Sequence, residues 1–519
     1  MNITPVDWTI LAVSFVLFLA LAIYLNGLCR SVADYLVSGR KIRLWLGMGA
    51  GIAGEIGLVT IVGICEQGYL RGFGFVLIGL LTMLILVPLF GVCGFGIQRF
   101  RATKAMSVSQ YVEMRYNRRL RVATGMLNSA AGVLQMCIFP IVGAGFLRVL
   151  TGAPEHTSVA GWLVPTTWLI MGVLLACAVI FTFLGGYITL IVTNFFQMII
   201  IMGAIIGVVF FVVEHVGLQT IWSNLEKTKG LDGFYPFVAE GNSYGMIWFA
   251  WLLTMSILLQ FSYGPYLQRY ASMDKPRTAS LSYLFGSFFG NGRTFLILFL
   301  GVGALAAMGT ETHGEFSEKL WPSMATPLYL SAIIPPILMG VLLAGLLWAD
   351  VSTTDQYLLS WSTSIVNDCV CPFLKDPLSP SSHIAAVKLT IVILCALFFL
   401  FGTWYQPTIP IWEYLWLCAN IIGGSGIIVL FGMYWRRANT TGATAAVAVS
   451  VVLPITDLIA RRVWLSHDWQ YPIKPEVTGL FTYALAVAVL VFFSLLSKKE
   501  TKYWDLGKVV REMNKAASL

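Results

Sequence analysis

Residues 44–69 read LWLGMGAGIAGEIGLVTIVGICEQGY. The stretch is long and apolar enough to cross a bilayer core, which takes about 20 helical residues. Yet Gly47, Gly49, Gly51, Gly54 and Gly57 crowd its first half, and Glu55 stands among them. A carboxylate within a span is costly and marks function by default. The glycines fit two roles. They permit close helix packing, or they interrupt the helix and free backbone carbonyls for a cation. A second interruption, Gly264-Pro265, falls near the end of the apolar run 244–267. Interrupted helices at corresponding places in two halves are the pattern of a carrier built from inverted repeats. The second to sixth and the seventh to eleventh spans would supply five helices each.

Working outward, similar runs recur along all 519 residues. Only 11% of residues are charged, against about 25% in soluble proteins. About thirteen spans are expected, near 7–28, 44–69, 74–98, 123–151, 160–184, 188–213, 244–267, 279–308, 334–365, 385–403, 411–434, 441–460 and 478–497. The fold class is therefore an all-α polytopic membrane protein forming one transmembrane domain, 1–519. Its parts are an N-terminal helix (7–28), a first half (44–214), a second half (244–434), two further helices (441–497) and a tail (498–519), which could form a short amphipathic helix on the inner membrane surface.

The net charge of +8 follows topology rather than nucleic-acid binding. Arg30, Arg40, Lys41 and Arg43 share one side with the run from Arg99 to Arg121, with Arg269, Lys275 and Arg277, with Arg436 and Arg437, and with the Lys498–Lys515 tail. The alternate connections (Glu155-His156, 214–243, 309–325, 404–410) are poor in Lys and Arg. The positive-inside rule makes the basic side cytoplasmic. An odd number of spans then puts the N-terminus outside and the C-terminus inside, with a bacterial inner membrane as the expected location. Met1–Asp7 leads straight into a span without a basic n-region, so the first helix reads as retained. Most of the nine cysteines lie in apolar runs, where they act as small apolar residues. The five histidines fall in connections, and no strand pattern, phosphate cradle or nucleophile–base pair is visible. No enzyme and no cofactor are expected.

Four places could carry chemistry. Ser352 and Thr353, within Ala349-Asp350-Val351-Ser352-Thr353-Thr354-Asp355, sit roughly 100° apart on a helix and border one seam. With the Ala349 carbonyl they would offer hard oxygens to a small cation, or they bond a neighbouring helix. Glu55 would add charge to such a cage, take a proton, or pair with Arg293 or with Ser or Thr on neighbouring helices. Arg293 would bind an anionic solute, act as a gate, or pair with Glu55, Asp350 or Asp355. Phe261, Tyr263 and Tyr266, beside the Gly264-Pro265 interruption, either stack on a solute or simply pack. Gln135 is a further solute-site candidate by position.

Several strings together resemble the sodium:solute symporter family, which includes sodium/glucose, sodium/proline and sodium/sialic acid cotransporters. Asp34-Tyr35-Leu36-Val37-Ser38-Gly39-Arg40 resembles its DYFLAGR, and Tyr111-Val112-Glu113-Met114-Arg115-Tyr116 its YLExRF. Gly185-Gly186 through Thr193-Asn194 and Gln197 is similar to LGG…TDxxQ, and Gln268-Arg269-Tyr270 to QRY. Ser352-Thr353-Thr354-Asp355 resembles MSTxDS, and Phe431–Ala443 resembles GLFWRRANxxGA. The resemblance implies a leucine-transporter-type 5+5 inverted repeat, with one extra helix before and two after. It also implies a sodium site from the carbonyls of Ala53, Ile56 and Ala349 and the hydroxyls of Ser352 and Thr353.

Departures from the family pattern matter as much. Asn194 replaces an acid that serves a second cation or a proton in some members. Glu55 stands where Asn, Asp or Ser is common, and Asp350 where an apolar residue is usual. Glu55, Asp350 and Asn194 are therefore the candidate coupling or proton positions. Tyr263-Gly264-Pro265 replaces polar residues, so sugar or proline does not transfer by analogy. The implied function is sodium-coupled symport of a small polar organic solute by alternating access, with sodium, the solute and the lipid bilayer as partners and no protein partner evident. The alternatives are a proton-coupled symporter, or a transporter-fold sensor that signals through a separate protein.

Overall fold

The structure, a computed structural model, describes residues 3–27, 32–237, 245–311, 316–318, 320–405, 411–465, 473–497 and 505–516. Arg30, His313, His467 and parts of the 214–243, 309–325 and 404–410 connections and of the tail lie outside the described residues. Among the described residues, ten helices are long and apolar enough to cross a membrane, and two bent pairs bring the number to twelve. The bent pairs are Leu44–Gly54 with Leu58–Arg71, at 61°, and Gly245–Leu259 with Gly264–Ser272, at 45°. Both interruptions read from the sequence are thus present. Pro265 explains the second locally: it has no N–H for the preceding turn but suits the first turn of a new helix.

The Thr166–Val216 helix counts once in that number. At 51 residues it would be about 77 Å long if straight, more than twice a bilayer core. It breaks at Gly186, whose φ of 58° and ψ of −159° lie in glycine territory. A Cβ there would also meet the Tyr35 Cα at 2.9 Å. The preceding connection differs from expectation. His156–Val159 and Trp162–Pro165 pair as a small antiparallel hairpin, so the helix begins at Thr166 rather than near 160. Trp162 and Leu163 looked like the start of a span, but they are exposed hairpin residues.

Burial runs opposite to apolarity, as expected where the surrounding solvent is itself apolar. The Leu338–Phe373 span is the least apolar of the set, and 83% of its core window is buried. The very apolar Pro5–Asn26 helix buries only 22%. That outer helix still anchors the inner one. Asp7 Oδ1 accepts the backbone N–H groups of Ile337 (2.8 Å) and Gly340 (2.9 Å), capping the N-terminus of helix Leu338–Ser364. Farther along, Trp348 packs on Phe18 and donates to Ser14 Oγ.

Elsewhere close approach fixes the helices. A Cβ on Gly301 would fall 2.0 Å from the Cys65 carbonyl oxygen, so helix Pro276–Met308 touches the Leu58–Arg71 backbone directly. On the basic side, the short helix Leu506–Ala516 confirms the amphipathic tail but rests on protein. Its Asn514 contacts Gln98 and the Arg277 N–H.

Candidate sodium cage and solute cavity

The first interruption leaves Glu55, Ile56 and Gly57 between two helices. The turn is closed by the Ile56 N–H, which donates to the Ala53 carbonyl at 3.0 Å. Helix Leu338–Ser364 lies against it so tightly that a Cβ on Gly57 would stand 3.0 Å from Thr353 Cγ2. Ser352 Oγ donates to the carbonyls of Ala53 and Ala349, both at 3.2 Å. Thr353 Oγ1 donates to the Ala53 carbonyl at 3.5 Å. All five residues named for the cage are buried. Four are joined directly by these bonds, and Ile56 is held beside them through Ala53. Asn194 Nδ2 donates to the Ser352 carbonyl at 3.1 Å, which brings the part of helix Thr166–Val216 after Gly186 behind the same segment.

The acids separate. Asp350 is buried on the Cys177 side of its helix. Asp355 is fully buried near Tyr187, and neither of its oxygens has a hydrogen-bond partner among the described residues. Neither acid pairs with Arg293. Glu55 does: its Oε2 is 3.9 Å from Arg293 NH2, and its Oε1 accepts Arg269 NH1 at 2.8 Å. Arg293 NH1 also donates to the Ile52 carbonyl. Arg269, which the sequence offered as part of a QRY string and of the basic connection set, is instead buried and is the stronger partner of Glu55. Its planar guanidinium also lies near the Tyr266 ring.

Glu55 is partly exposed, and it faces two adjoining cavities of about 340 and 350 Å³. They share Glu55, Ser256, Leu259, Tyr266, Asn291 and Trp412. Arg269 lines the first, and Gln135, Tyr263 and Arg293 line the second. Tyr263 OH donates to Gln135 Oε1 at 2.9 Å, and its ring meets Tyr266, Tyr357 and Trp361 edge-on. Phe261 is the exception among the solute-site candidates. It is buried away from both cavities, edge-on to Phe90 and Phe95, in space left by Gly96. Helical periodicity stops at an interruption, so the faces of residues 261 and 263 are not related by the usual rotation.

Buried hydroxyls held on a carbonyl at a helix interruption, next to a cavity with charged and aromatic walls inside a helical bundle, are features a membrane carrier needs. The fold has solved counterparts. The chain superposes on a Na+-coupled sialic acid symporter in its substrate-bound outward-open state with a TM-score of 0.79, covering 96% of this chain and 99% of that one at 18% identity. MhsT in complex with L-phenylalanine gives a TM-score of 0.53 at 13% identity, covering 88% and 99%. These neighbours are carriers of the leucine-transporter fold.

The chain belongs to the sodium:solute symporter family, whose profile matches residues 35–449. It is 23% identical to the sodium/pantothenate symporter of Escherichia coli K12 over 76% of this chain and 78% of that protein. It is also 23% identical to the sodium/sialic acid symporter of Aliivibrio fischeri, over 83% and 84%. The chain is thus a sodium-coupled solute symporter of the membrane, and its family and neighbours are transporters, not enzymes.

Proposed function

We propose that this chain moves a small polar organic solute with sodium by alternating access, and that sodium binds at Ala53, Ile56, Ala349, Ser352 and Thr353. The observation that carries this is the meeting of the Ser352 and Thr353 hydroxyls on the Ala53 carbonyl at the helix interruption. A hydroxyl that donates to a carbonyl can rotate and present a lone pair instead. The carbonyls and hydroxyls then form an all-oxygen shell for a hard cation.

Coupling runs through Ala53, at the end of the first helix, and through Glu55 and Ile56 of the interruption. Ala53 and Ile56 belong to the cage, while Glu55 between them holds Arg269 and Arg293 at the solute cavity. Sodium that fixes the interruption therefore fixes the charged wall of the cavity. It favours closure over solute only through a difference in affinity between conformers. Asn194 positions Ser352 from behind, and the buried carboxyls of Asp350 and Asp355 flank Ser352 and Thr353 along the same helix. Gln135, Tyr263, Tyr266 and Arg293 contact the solute. Counting the kink at Gly186 as a turn between spans gives thirteen spans, with five-helix repeats at 44–214 and 244–434. The N-terminus then lies outside and the C-terminus in the cytoplasm of a bacterial inner membrane.

Thermal unfolding of the purified chain, with sodium titrated against potassium at constant ionic strength, tests the cage. Binding to the native state adds about 2.7 kcal/mol at one hundred times Kd. A saturable rise specific to sodium, shifted to about tenfold or more higher sodium in Ser352→Ala, is expected. Equal responses to the two ions would reject the proposed site.

A further inference from the structure

We infer that the solute carries a single carboxylate on a largely apolar body, and that Arg293 receives it. This rests on the sodium-symport reading above and names the solute class for the same cavity. The only charged residues lining the two adjoining cavities, among those described, are Glu55, Arg269 and Arg293. Two guanidiniums against one carboxylate leave one positive charge in excess. At membrane depth such a charge is costly unless it is paired.

The bonding pattern locates the excess. Glu55 gives its short contact, 2.8 Å, to Arg269. Arg293 NH2 stands 3.9 Å from the other oxygen, beyond hydrogen-bond range. Arg293 Nε has no hydrogen-bond partner among the described residues, although the side chain is only 6% exposed; Arg269 Nε and NH2 also lack one, but the charge of Arg269 is met by its 2.8 Å contact to Glu55. The one hydrogen bond of Arg293 among the described residues goes to the Ile52 carbonyl, which is neutral. A guanidinium has five donors in a planar fork and binds carboxylates two-pronged. A solute carboxylate beside Arg293 would meet its charge and the NH2 donor left 3.9 Å from Glu55.

The same count disfavours other solutes. An ammonium would have to win Glu55 from Arg269, and no second acid lines the cavity to receive it. A neutral polyol would leave the excess charge unmet. Much of the remaining wall is apolar or aromatic, with Phe75, Phe139, Leu252, Met255, Leu415 and Trp416 in the larger cavity. The rest of the solute should therefore be apolar.

The test is thermal unfolding of the full-length protein in saturating sodium. The probes are hexanoate, benzoate and phenylacetate, each beside its primary amide, with phenylalanine as the zwitterion. At least one acid should stabilise saturably in sodium, with its amide needing about tenfold more for the same shift. Arg293→Gln should bring acid and amide to within about twofold of each other, and Arg293→Lys should keep a preference for the acid. The inference is overturned if amides act as well as acids, if phenylalanine outdoes every acid, or if Arg293→Gln keeps the preference. Silence of all the acids while sodium alone still stabilises the wild type also overturns it, and leaves sodium symport standing. Loss of the sodium response itself would strike the underlying reading instead.

Discussion

Two regions meet at the interruption between Gly54 and Leu58. On one side, the cage uses backbone carbonyls and two neighbouring hydroxyls, drawn from two short segments of chain. On the other, the cavity wall uses single side chains from many separate helices, and its one short ion pair joins residues 214 positions apart. The cage is neutral oxygen suited to a bare cation, and the cavity is charged nitrogen and aromatic surface suited to an organic solute. Building both on one interruption lets a local backbone change at Ala53 and Ile56 reach the Glu55 side chain without any intervening relay.

Substitutions can break this division of labour. The largest effect is expected from Gly57→Val, which forces a branched side chain into Thr353. It should abolish sodium-specific stabilisation and lower stability by about 1–3 kcal/mol in thermal unfolding. Ser352→Ala should raise the sodium Kd at least about tenfold, or ~1.4 kcal/mol, with little change in the potassium baseline. Asp355→Asn removes a fully buried carboxyl that has no hydrogen-bond partner among the described residues and lies two positions after Thr353. Titrated by the same assay, it should weaken sodium binding about threefold to tenfold, and more than Asp350→Asn does on the Cys177 side. A larger effect of Asp350→Asn would move the coupling acid to that face. The smallest effect belongs to Phe261→Leu, which should leave solute affinity within about twofold because Phe261 does not line the cavity. Tyr263→Leu should weaken it clearly in a parallel binding curve.

The same contrast explains what could be read from the chain. The interruption was legible because glycines, an acid and a later Gly-Pro are local signals. The hydroxyl pair was legible because its members are adjacent. Most of the family-like strings proved to be partners on the basic side. Gln268 Nε2 donates to the Leu36 carbonyl at 2.7 Å, and Arg115 donates to the carbonyls of Gly432 and Ala438. Contiguous strings of that kind hold the fold, so they survive as recognisable text. The cavity left no such text. No spacing rule pairs Glu55 with Arg269, and nothing in the order Phe-Ser-Tyr-Gly-Pro tells which aromatic ring turns inward once the helix stops. The 156–165 hairpin was missed because its exposed Trp162 and Leu163 resemble the entry to a span.

The central claim is that the interruption and the Ser352 segment together bind sodium. Equilibrium binding of radioactive sodium to the purified protein, wild type beside Ser352→Ala and Thr353→Ala, tests it most directly. One saturable component is predicted, uncompeted by potassium and weakened about tenfold or more in each variant. Equal sodium binding in all three proteins would contradict the cage and place the coupling ion elsewhere.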